Sequence, residues 1–342
     1  MGVRESYKES VSRALRRIAD HIPEDLVHRF ADKSGITQED IHLISPGPSG
    51  MVSAIDGSNT IILEGGSVSI AAIRAVQTTF LNNERHHRSI TPLTLVTIGP
   101  GHRNLDFATL YEECFGVPPH KGLDNADPER ASAILRDTLE YWVALQTAKI
   151  LPAGALLLID GALRVSSQNH EPVLADIIKT AQERKLLLAA VAKRTRATWG
   201  SGHPLLPALS GLVAHLGIAG PWWAKIDEHL LDHTEYRQGR HGEIYVASLH
   251  AHFSRPMKME LPKGTGEESA AATMKALAAC ADDGRILGYP YPLLDAHRTV
   301  IIDEPLVTQI QQDIKAGLSK QGIRNSTFED LFGDLHGDFE RY

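Results

Sequence analysis

One local pattern occurs twice in this sequence: an apolar run leads directly into aspartate, glycine and a small residue. The copies are SAIDGS at residues 53–58 and LLIDGA at residues 157–162. A carboxylate at the end of a buried strand is costly unless it is paired, hydrogen-bonded or bound to metal. Asp56 and Asp160 on neighbouring strands would form an oxygen-rich site of the kind that holds Mg²⁺ or Mn²⁺. The alternative is that each Asp-Gly pair only ends a strand with an Asx turn.

The surrounding sequence predicts an α/β fold with a mixed sheet. Strand-like segments at 51–55, 60–63 and 68–80 predict an antiparallel meander, with turns at Gly57 and at the glycine pair that follows residue 64. The order strand, helix, strand over residues 155–192 predicts a crossover unit with some parallel pairing. Further strands are predicted at 93–98, 244–249 and 257–261, and helices at 127–149, 172–184, 269–281 and 305–318. The first of these helices opens with Asp127 as N-cap and Pro128 at the first helical position.

The N-terminal region has a helical residue pattern, unlike the strand-like segments that follow it. Residues 5–31 predict one or two helices, with Val11, Leu15 and Ile18 along one face. Prolines and glycines then cluster between residues 46 and 50 and indicate a boundary. We therefore predict an N-terminal helical arm over residues 1–48, suited to partner docking or dimer packing, and one larger domain over residues 49–342.

Cysteine content and hydropathy indicate the cellular compartment of the protein. Two cysteines, Cys114 and Cys280, exclude a disulfide framework and a CxxC zinc or redox pair. The charged N-terminus does not resemble a signal peptide, and no segment approaches the ~18 apolar residues of a membrane span. We expect a soluble, cytoplasmic protein with no membrane partner.

The formal net charge of −7 argues against a protein that coats nucleic acid by bulk attraction. The charge is unevenly distributed, because residues 184–263 hold eleven Lys and Arg residues against six acids, a net of +5. Within this region Lys193, Arg194 and Arg196 follow a predicted strand and could contact phosphates. A solvated turn is the alternative. The pair Trp222-Trp223 could stack on bases or dock a partner, or pack in the core.

Two further segments carry candidate functional side chains. On the helix predicted at 127–149, Glu140 lies beside the apolar stripe, and its spacing alone places it at the boundary facing water. The segment GYPYPLLDAHR at 288–298 forces extended backbone and then starts a helix that presents His297. The histidine and a tyrosine hydroxyl could orient water or a phosphate. A rigid proline-aromatic loop packed on the domain is the alternative.

Motifs of several enzyme classes are absent from the sequence. It contains no phosphate-binding P-loop, no dinucleotide fingerprint, no HExxH and no GxSxG nucleophile elbow. If the protein serves a molecular motor, the ATPase must therefore be another chain.

The sequence resembles the NurA nuclease family in its motifs and in their order along the chain. The resemblance is carried by AIDGSN, by an acid on a helix 20 residues before the aspartate of LLLIDGAL, and by AVAKRT, IYVASLHAHFSRPMKMEL and GYPYPLLDAHR. It covers the chain from about residue 53 to the C-terminus. One difference is Ala162, where the family often has serine.

The resemblance implies a ribonuclease-H-like core with flanking helices and a Mn²⁺-dependent 5′-to-3′ exonuclease, with Mg²⁺ as the alternative metal and often single-strand endonuclease activity. It also implies a toroidal homodimer that docks on a hexameric HerA-type ATPase. The implied setting is DNA end resection in double-strand-break repair.

Carried over by position, three acids would hold two metal ions and three other side chains would act on the substrate. These are Asp56, Glu140 and Asp160 for the metals, and Lys193, Tyr289 and His297 for the DNA. The lysine would neutralise phosphoryl oxygens, the tyrosine would hold the substrate, and the histidine would orient water or protonate the leaving group.

Two rival hypotheses remain open. The chain could be a non-catalytic toroidal clamp or scaffold for a DNA translocase, a role suited to Trp222-Trp223 and to the acidic tail over residues 326–342. It could also be a different ribonuclease-H-like nuclease or a recombinase. The presence of acids at all three metal positions favours the enzyme.

Overall fold

In a computed structural model of the chain, residues 7–20, 25–45, 47–99, 105–123, 127–193, 195–232, 239–252 and 255–333 are described. The chain folds as two units. Unit 1 consists of residues 1–49, 160–164 and 188–291, and unit 2 of residues 50–159, 165–187 and 292–342. No helix in the described part of the chain combines the length and apolar character that a bilayer crossing requires.

The strands are β1 His42–Leu43, β2 Met51–Glu64, β3 Ser69–Leu81, β4 Glu84–Ile90, β5 Thr94–Ile98, β6 Leu156–Asp160, β7 Leu187–Val191, β8 Thr198–Trp199, β9 His203–Pro204, β10 Trp222–Ile226, β11 Gly242–Ser248 and β12 Met257–Pro262. The helices are α1 Tyr7–Asp20, α2 Leu26–Ser34, α3 Leu105–Phe115, α4 Pro128–Ile150, α5 Glu171–Glu183, α6 Leu205–His215, α7 Glu267–Cys280, α8 Tyr291–Val300, α9 Glu304–Lys320 and α10 Asn325–Phe332.

Unit 2 contains a mixed sheet. Its strands lie in the order β6-β2-β3-β4, and β5 also pairs with β3. The β2/β3 and β3/β4 pairs are antiparallel, whereas β2 and β6 are parallel, with Ile55 opposite Ile159 at the end of their shared register. This arrangement confirms the predicted α/β class and the parallel pairing.

Helix α4 covers one face of this sheet, against β2 and β3. Its start was predicted from sequence: Asp127 is the N-cap, its side chain accepts a hydrogen bond from the Arg130 amide at 3.0 Å, and Pro128 occupies the first turn. Asn59 of β2 points to this face, because its amide nitrogen donates to Ser132 Oγ of α4 at 2.7 Å.

Helix α8 lies on the opposite face of the sheet. Thr78 of β3 donates to the carbonyl of Pro292 at 3.1 Å, and Arg74 donates through Nε to the carbonyl of Val300 at 2.9 Å. Both ends of α8 are thereby bonded to β3. Side chains alternate along a strand, so Asp56, which lies opposite Val76 on β3, points to this same face.

Unit 1 is built on an antiparallel sheet in the order β1-β10-β11-β12-β7. Its core joins α2 and α6 to this sheet. Phe30 of α2 is fully buried and meets Trp199 edge to face at 5.0 Å between ring centroids. Trp222 and Trp223 of β10 are buried as well, which confirms the core alternative for this pair.

One sequence prediction is wrong in detail. Gly57 does not form a turn, because β2 continues without a break from Met51 to Glu64. The one or two helices predicted over residues 5–31 are two, α1 and α2, and the apolar side chains Val11, Leu15 and Ile18 of α1 are exposed.

Candidate active site

The first Asp-Gly copy places a buried carboxylate in the middle of β2. Asp56 is 3% exposed, and its Oδ1 accepts a hydrogen bond from the Gly57 amide at 2.9 Å. Its Oδ2 lies 3.0 Å from Nδ1 of His297, which α8 presents from above the sheet. The imidazole is 43% exposed, so this pair joins a buried acid to a group that solvent can reach.

On the other face of β2, the side chain of Glu140 lies over Gly57. A Cβ atom at residue 57 would stand 2.6 Å from Cγ of Glu140 and 2.8 Å from Cγ of Arg136. The glycine therefore makes room for α4 side chains and has no turn-forming role. The Glu140 side chain is 12% exposed, so the expectation that it faces water is wrong.

Arg136 holds the acids of α4 together. Its Nε lies 3.3 Å from Oε1 of Glu140, and its Nη2 lies 2.6 Å from Oδ1 of Asp137. Burial disfavours the charged guanidinium, but Glu140, Asp137 and, more weakly, Asp56 raise the pKa of Arg136 above its ordinary value. The arginine stays charged and offsets part of the negative charge of these acids.

The second Asp-Gly copy forms the predicted turn at the end of β6. Gly161 has φ +102°, a conformation that side chains rarely adopt, and its amide donates to the carbonyl of Val191 at 3.0 Å. Asp160 Oδ2 lies 2.8 Å from Nζ of Lys193, which follows β7. The structure thus brings together two of the residues that sequence placed at the site.

A buried charged cluster supports the chain just after Asp160. Glu260 of β12 is fully buried; its Oε2 accepts a hydrogen bond from the Leu163 amide at 3.0 Å. Its Oε1 lies 2.5 Å from Nζ of Lys258 and 3.2 Å from Nη1 of Arg240. Sequence reasoning missed this cluster, since nothing in the local pattern marks Glu260 as buried.

Three further residues were predicted at the site, namely Tyr289, Arg194 and Arg196. Tyr289 belongs to unit 1, and its hydroxyl is buried; its role stays a prediction. Arg196 is exposed in the segment before β8, and Arg194 lies outside the described residues.

The side-chain chemistry of the three acids fits a hard divalent cation, because carboxylate oxygens are the ligands that Mg²⁺ and Mn²⁺ prefer. In this structure each acid faces a cationic or titratable partner, namely His297 for Asp56, Arg136 for Glu140 and Lys193 for Asp160. Within the described ranges, no three His, Cys, Asp or Glu side chains form a group that could hold a metal ion.

Solved structures show the same fold. The NurA nuclease from Sulfolobus solfataricus matches with a TM-score of 0.53 and 16% identity, covering 90% of this chain and 98% of that one. Another NurA crystal structure matches with a TM-score of 0.58 and 10% identity, covering 93% and 98%. A NurA bound to dAMP and manganese matches with a TM-score of 0.53 and 10% identity, covering 87% and 94%. At these identities the likeness establishes the fold alone.

Sequence comparison identifies the family. A search of curated proteins gave no match. A family model described as the NurA domain matches residues 50–302, which include all three acids and His297. That match spans most of the chain and agrees with the resemblance drawn from the motifs, so the chain belongs to the NurA family.

Proposed function

We propose that this chain is a metal-dependent nuclease that hydrolyses phosphodiester bonds of DNA. The observation that carries the proposal is the register of the parallel strands β2 and β6. Ile55 lies opposite Ile159, and the residue after each is an acid, Asp56 on one strand and Asp160 on the other. Parallel strands run in the same direction, so both carboxylates follow the same paired position.

Asp56, Glu140 and Asp160 would hold the metal, which we propose to be Mn²⁺, or Mg²⁺ in its place, in a two-metal site. A NurA structure with manganese, matching with a TM-score of 0.52 and 10% identity over 93% of this chain and 99% of that one, supports the choice. When bound, such ions lower the pKa of water and stabilise charge on a phosphoryl group.

The chain's own side chains supply the remaining chemistry. Lys193 would place its ammonium against the phosphoryl oxygens, next to Asp160. His297 lies at hydrogen-bond distance from Asp56 and is reached by solvent, so it can orient a water molecule or protonate the departing oxygen. Tyr289 would hold the substrate, together with the basic residues Arg194 and Arg196.

Finer features are proposed on the ground of family membership. They are 5′-to-3′ exonuclease action with some single-strand endonuclease activity, a homodimer, and work in the cytoplasm with a HerA-type hexameric ATPase in DNA end resection and double-strand-break repair. The sequence supports a separate motor, because it has no phosphate-binding loop of its own. Both cysteines are free, and burial raises the pKa of each thiol to about 12, which suits a reducing compartment.

The scaffold alternative has lost one of its two supports. Trp222 and Trp223 are buried in β10 and present no stacking or docking surface. The other support, the acidic tail, lies largely outside the described residues.

The test is digestion of linear duplex DNA, single-stranded DNA and RNA of one sequence with Mn²⁺, with Mg²⁺ and with EDTA. We expect DNA to be cut only with metal, and Asp56→Asn and Asp160→Asn to abolish cutting while circular dichroism is unchanged. Asp176→Asn, an exposed acid on α5, is the matched control and should keep full activity. Activity retained in both site variants would refute the assignment, and preferential cutting of RNA would favour a different nuclease of this fold.

A further inference from the structure

Two arginines of β4 converge on one buried carboxylate of α8. Arg85 contacts Asp295 through Nη2 at 2.6 Å and through Nε at 3.2 Å. Arg88 contacts both oxygens of the same carboxylate through Nη2 at 3.1 Å. The side chain of Asp295 is only 6% exposed, while the arginines are 43% and 34% exposed. A buried acid thus holds two guanidinium groups that remain open to solvent.

The convergence depends on an irregularity in β4. Residues three apart on a regular strand point to opposite faces. Here Thr79 pairs with His87 but Phe80 pairs with Arg85, so one step along β3 corresponds to two steps along β4, and His86 is the extra residue. A β-bulge of this kind redirects side chains. It turns Arg85 to the same face as Arg88.

That face is the one that carries Asp56. Arg88 pairs with Thr78, whose hydroxyl bonds to the start of α8. Asp295 and His297 are two residues apart on α8, so their side chains leave the helix on opposite sides: Asp295 toward β4 and His297 toward Asp56 of β2. Strand β4 is separated from β2 only by β3, about 10 Å in the plane of the sheet. The arginine pair and the pair formed by His297 and Asp56 therefore flank α8 on the same face of the sheet, one on each side of the helix.

The charge of this group is not balanced. Two guanidinium groups share one carboxylate, which leaves a net charge of +1. Among the described residues, Asp295 accounts for every hydrogen bond of the two guanidinium groups. Nη1 of Arg85 and Nη1 and Nε of Arg88 are then available to an external acceptor. Arginine groups held in place by a buried acid lose little conformational freedom on binding, which favours recognition of an anion.

We propose that Arg85 and Arg88, fixed by Asp295, bind a backbone phosphate of the DNA substrate away from the bond that is cut, on the other side of α8 from His297. The proposal rests on the proposed function for its ligand, since a nuclease substrate carries a phosphate at each nucleotide. The bulge at His86 is the element that builds this subsite, and Asp295 sets the position of both guanidinium groups.

The experiment measures binding without cleavage. A fluorescein-labelled single-stranded oligonucleotide is titrated with the full-length protein in EDTA at several salt concentrations, and anisotropy gives Kd. Each phosphate contact with single-stranded DNA contributes about 0.7 to the slope of log Kd against log salt. We expect Arg85→Gln/Arg88→Gln to weaken binding about tenfold at low salt and to lower this slope by about 0.7. If the double variant does not fold, Arg88→Gln alone leaves the two Arg85 bonds to Asp295 and takes its place.

A charge-preserving variant separates a phosphate contact from a purely structural clamp on α8. Arg85→Lys/Arg88→Lys keeps both charges but loses the forked bonds to Asp295, so it should retain the wild-type salt slope. The control Lys149→Gln/Lys179→Gln removes two exposed charges from α4 and α5, and its slope should not change. An unchanged slope in the glutamine variant, or an equal loss in the lysine variant, would overturn the proposal.

Failure of this subsite and failure of the proposed function are distinguishable. If wild-type protein cuts DNA with metal but the glutamine variant binds it normally, the function stands and the subsite is wrong. If the salt slope falls as expected but no metal supports cutting by the wild type, the subsite stands and the nuclease assignment is wrong.

Discussion

The side chain of Glu140 occupies the space directly above Gly57, and a Cβ atom there would stand 2.6 Å from its Cγ. Glycine is thus required at this position by the close approach of two helical side chains. The finding links the identity of one backbone position to the placement of a proposed metal ligand.

Gly57→Ala is therefore expected to displace Glu140 and Arg136 and to lower the rate of metal-dependent DNA cleavage about a hundredfold, since misplacement by ~1 Å can cost that much. Initial rates of linear-DNA digestion at saturating Mn²⁺ measure the effect. Gly50→Ala is the control, because a Cβ at Gly50 meets no described atom within 4 Å. Equal rates for wild type and Gly57→Ala would show that Glu140 has no role in catalysis.

His297→Gln should lower kcat by about 10²- to 10⁴-fold, the usual contribution of a positioned acid or base, because the imidazole adjoins Asp56 at 3.0 Å. Steady-state kinetics on a fluorogenic oligonucleotide separates kcat from KM. The neighbouring exposed Arg298 provides the control variant Arg298→Gln, whose kcat should stay near that of the wild type. A change confined to KM in His297→Gln would assign the histidine to substrate binding.

Glu260→Gln should destabilise the protein by about 3–5 kcal/mol, because it leaves Lys258 and Arg240 as buried cations without their carboxylate. The free energy of unfolding in urea measures this loss. Glu329→Gln breaks the exposed pair with Lys315 and should cost less than about 1 kcal/mol. Similar losses in the two variants would contradict the buried character of the cluster.

Stability should also depend on pH through His170. This imidazole is fully buried, its Nε2 lies 2.9 Å from Thr138 Oγ1, and burial lowers its pKa to about 4, against a small opposing effect of Asp137. The unfolded chain, with a histidine pKa near 6.5, binds more protons between these two values. The stability linked to the neutral imidazole is therefore complete above pH 6.5 and is lost as the pH falls toward 4.

Between pH 7 and pH 5 this linkage corresponds to about 2 kcal/mol. Urea unfolding at both pH values should show that the wild type loses this much more stability than His170→Asn. Because the two proteins share every other titrating group, the difference isolates the histidine. Parallel losses in both would mean that His170 is not held neutral in the folded state.

The sequence predicted most of the regular structure because apolar periodicity and capping residues are local signals. Asp127 and Pro128 marked the start of α4, which begins at Pro128. Strand β4 was missed because an exposed edge strand, ERHHRSI, has no alternation of apolar and polar residues. The boundary proposed near residue 48 stays a prediction.

The site was also predicted only in part, because the sequence shows local patterns but not contacts between distant residues. Asp160 and Lys193 were placed from local pattern and resemblance, and they pair. Asp295 was not singled out, because its arginine partners lie on another element. Arg136 was not singled out, because an ion pair with a residue four positions along the same helix is also common on solvent-exposed faces. The role of Gly57 was misread, since a glycine that permits a turn and a glycine that admits a neighbour look identical in sequence.

Because His86 is an extra residue in β4, the subsite depends on the number of residues between Arg85 and Arg88 as well as on their identity. Deleting His86 would leave both arginines in the protein yet restore regular alternation, so that one of them would point away from Asp295. In an alignment at 10% to 16% identity, such a deletion would count as trivial length variation in a surface hairpin. The spacing between Arg85 and Arg88 is therefore the feature to compare among relatives, ahead of the arginines themselves.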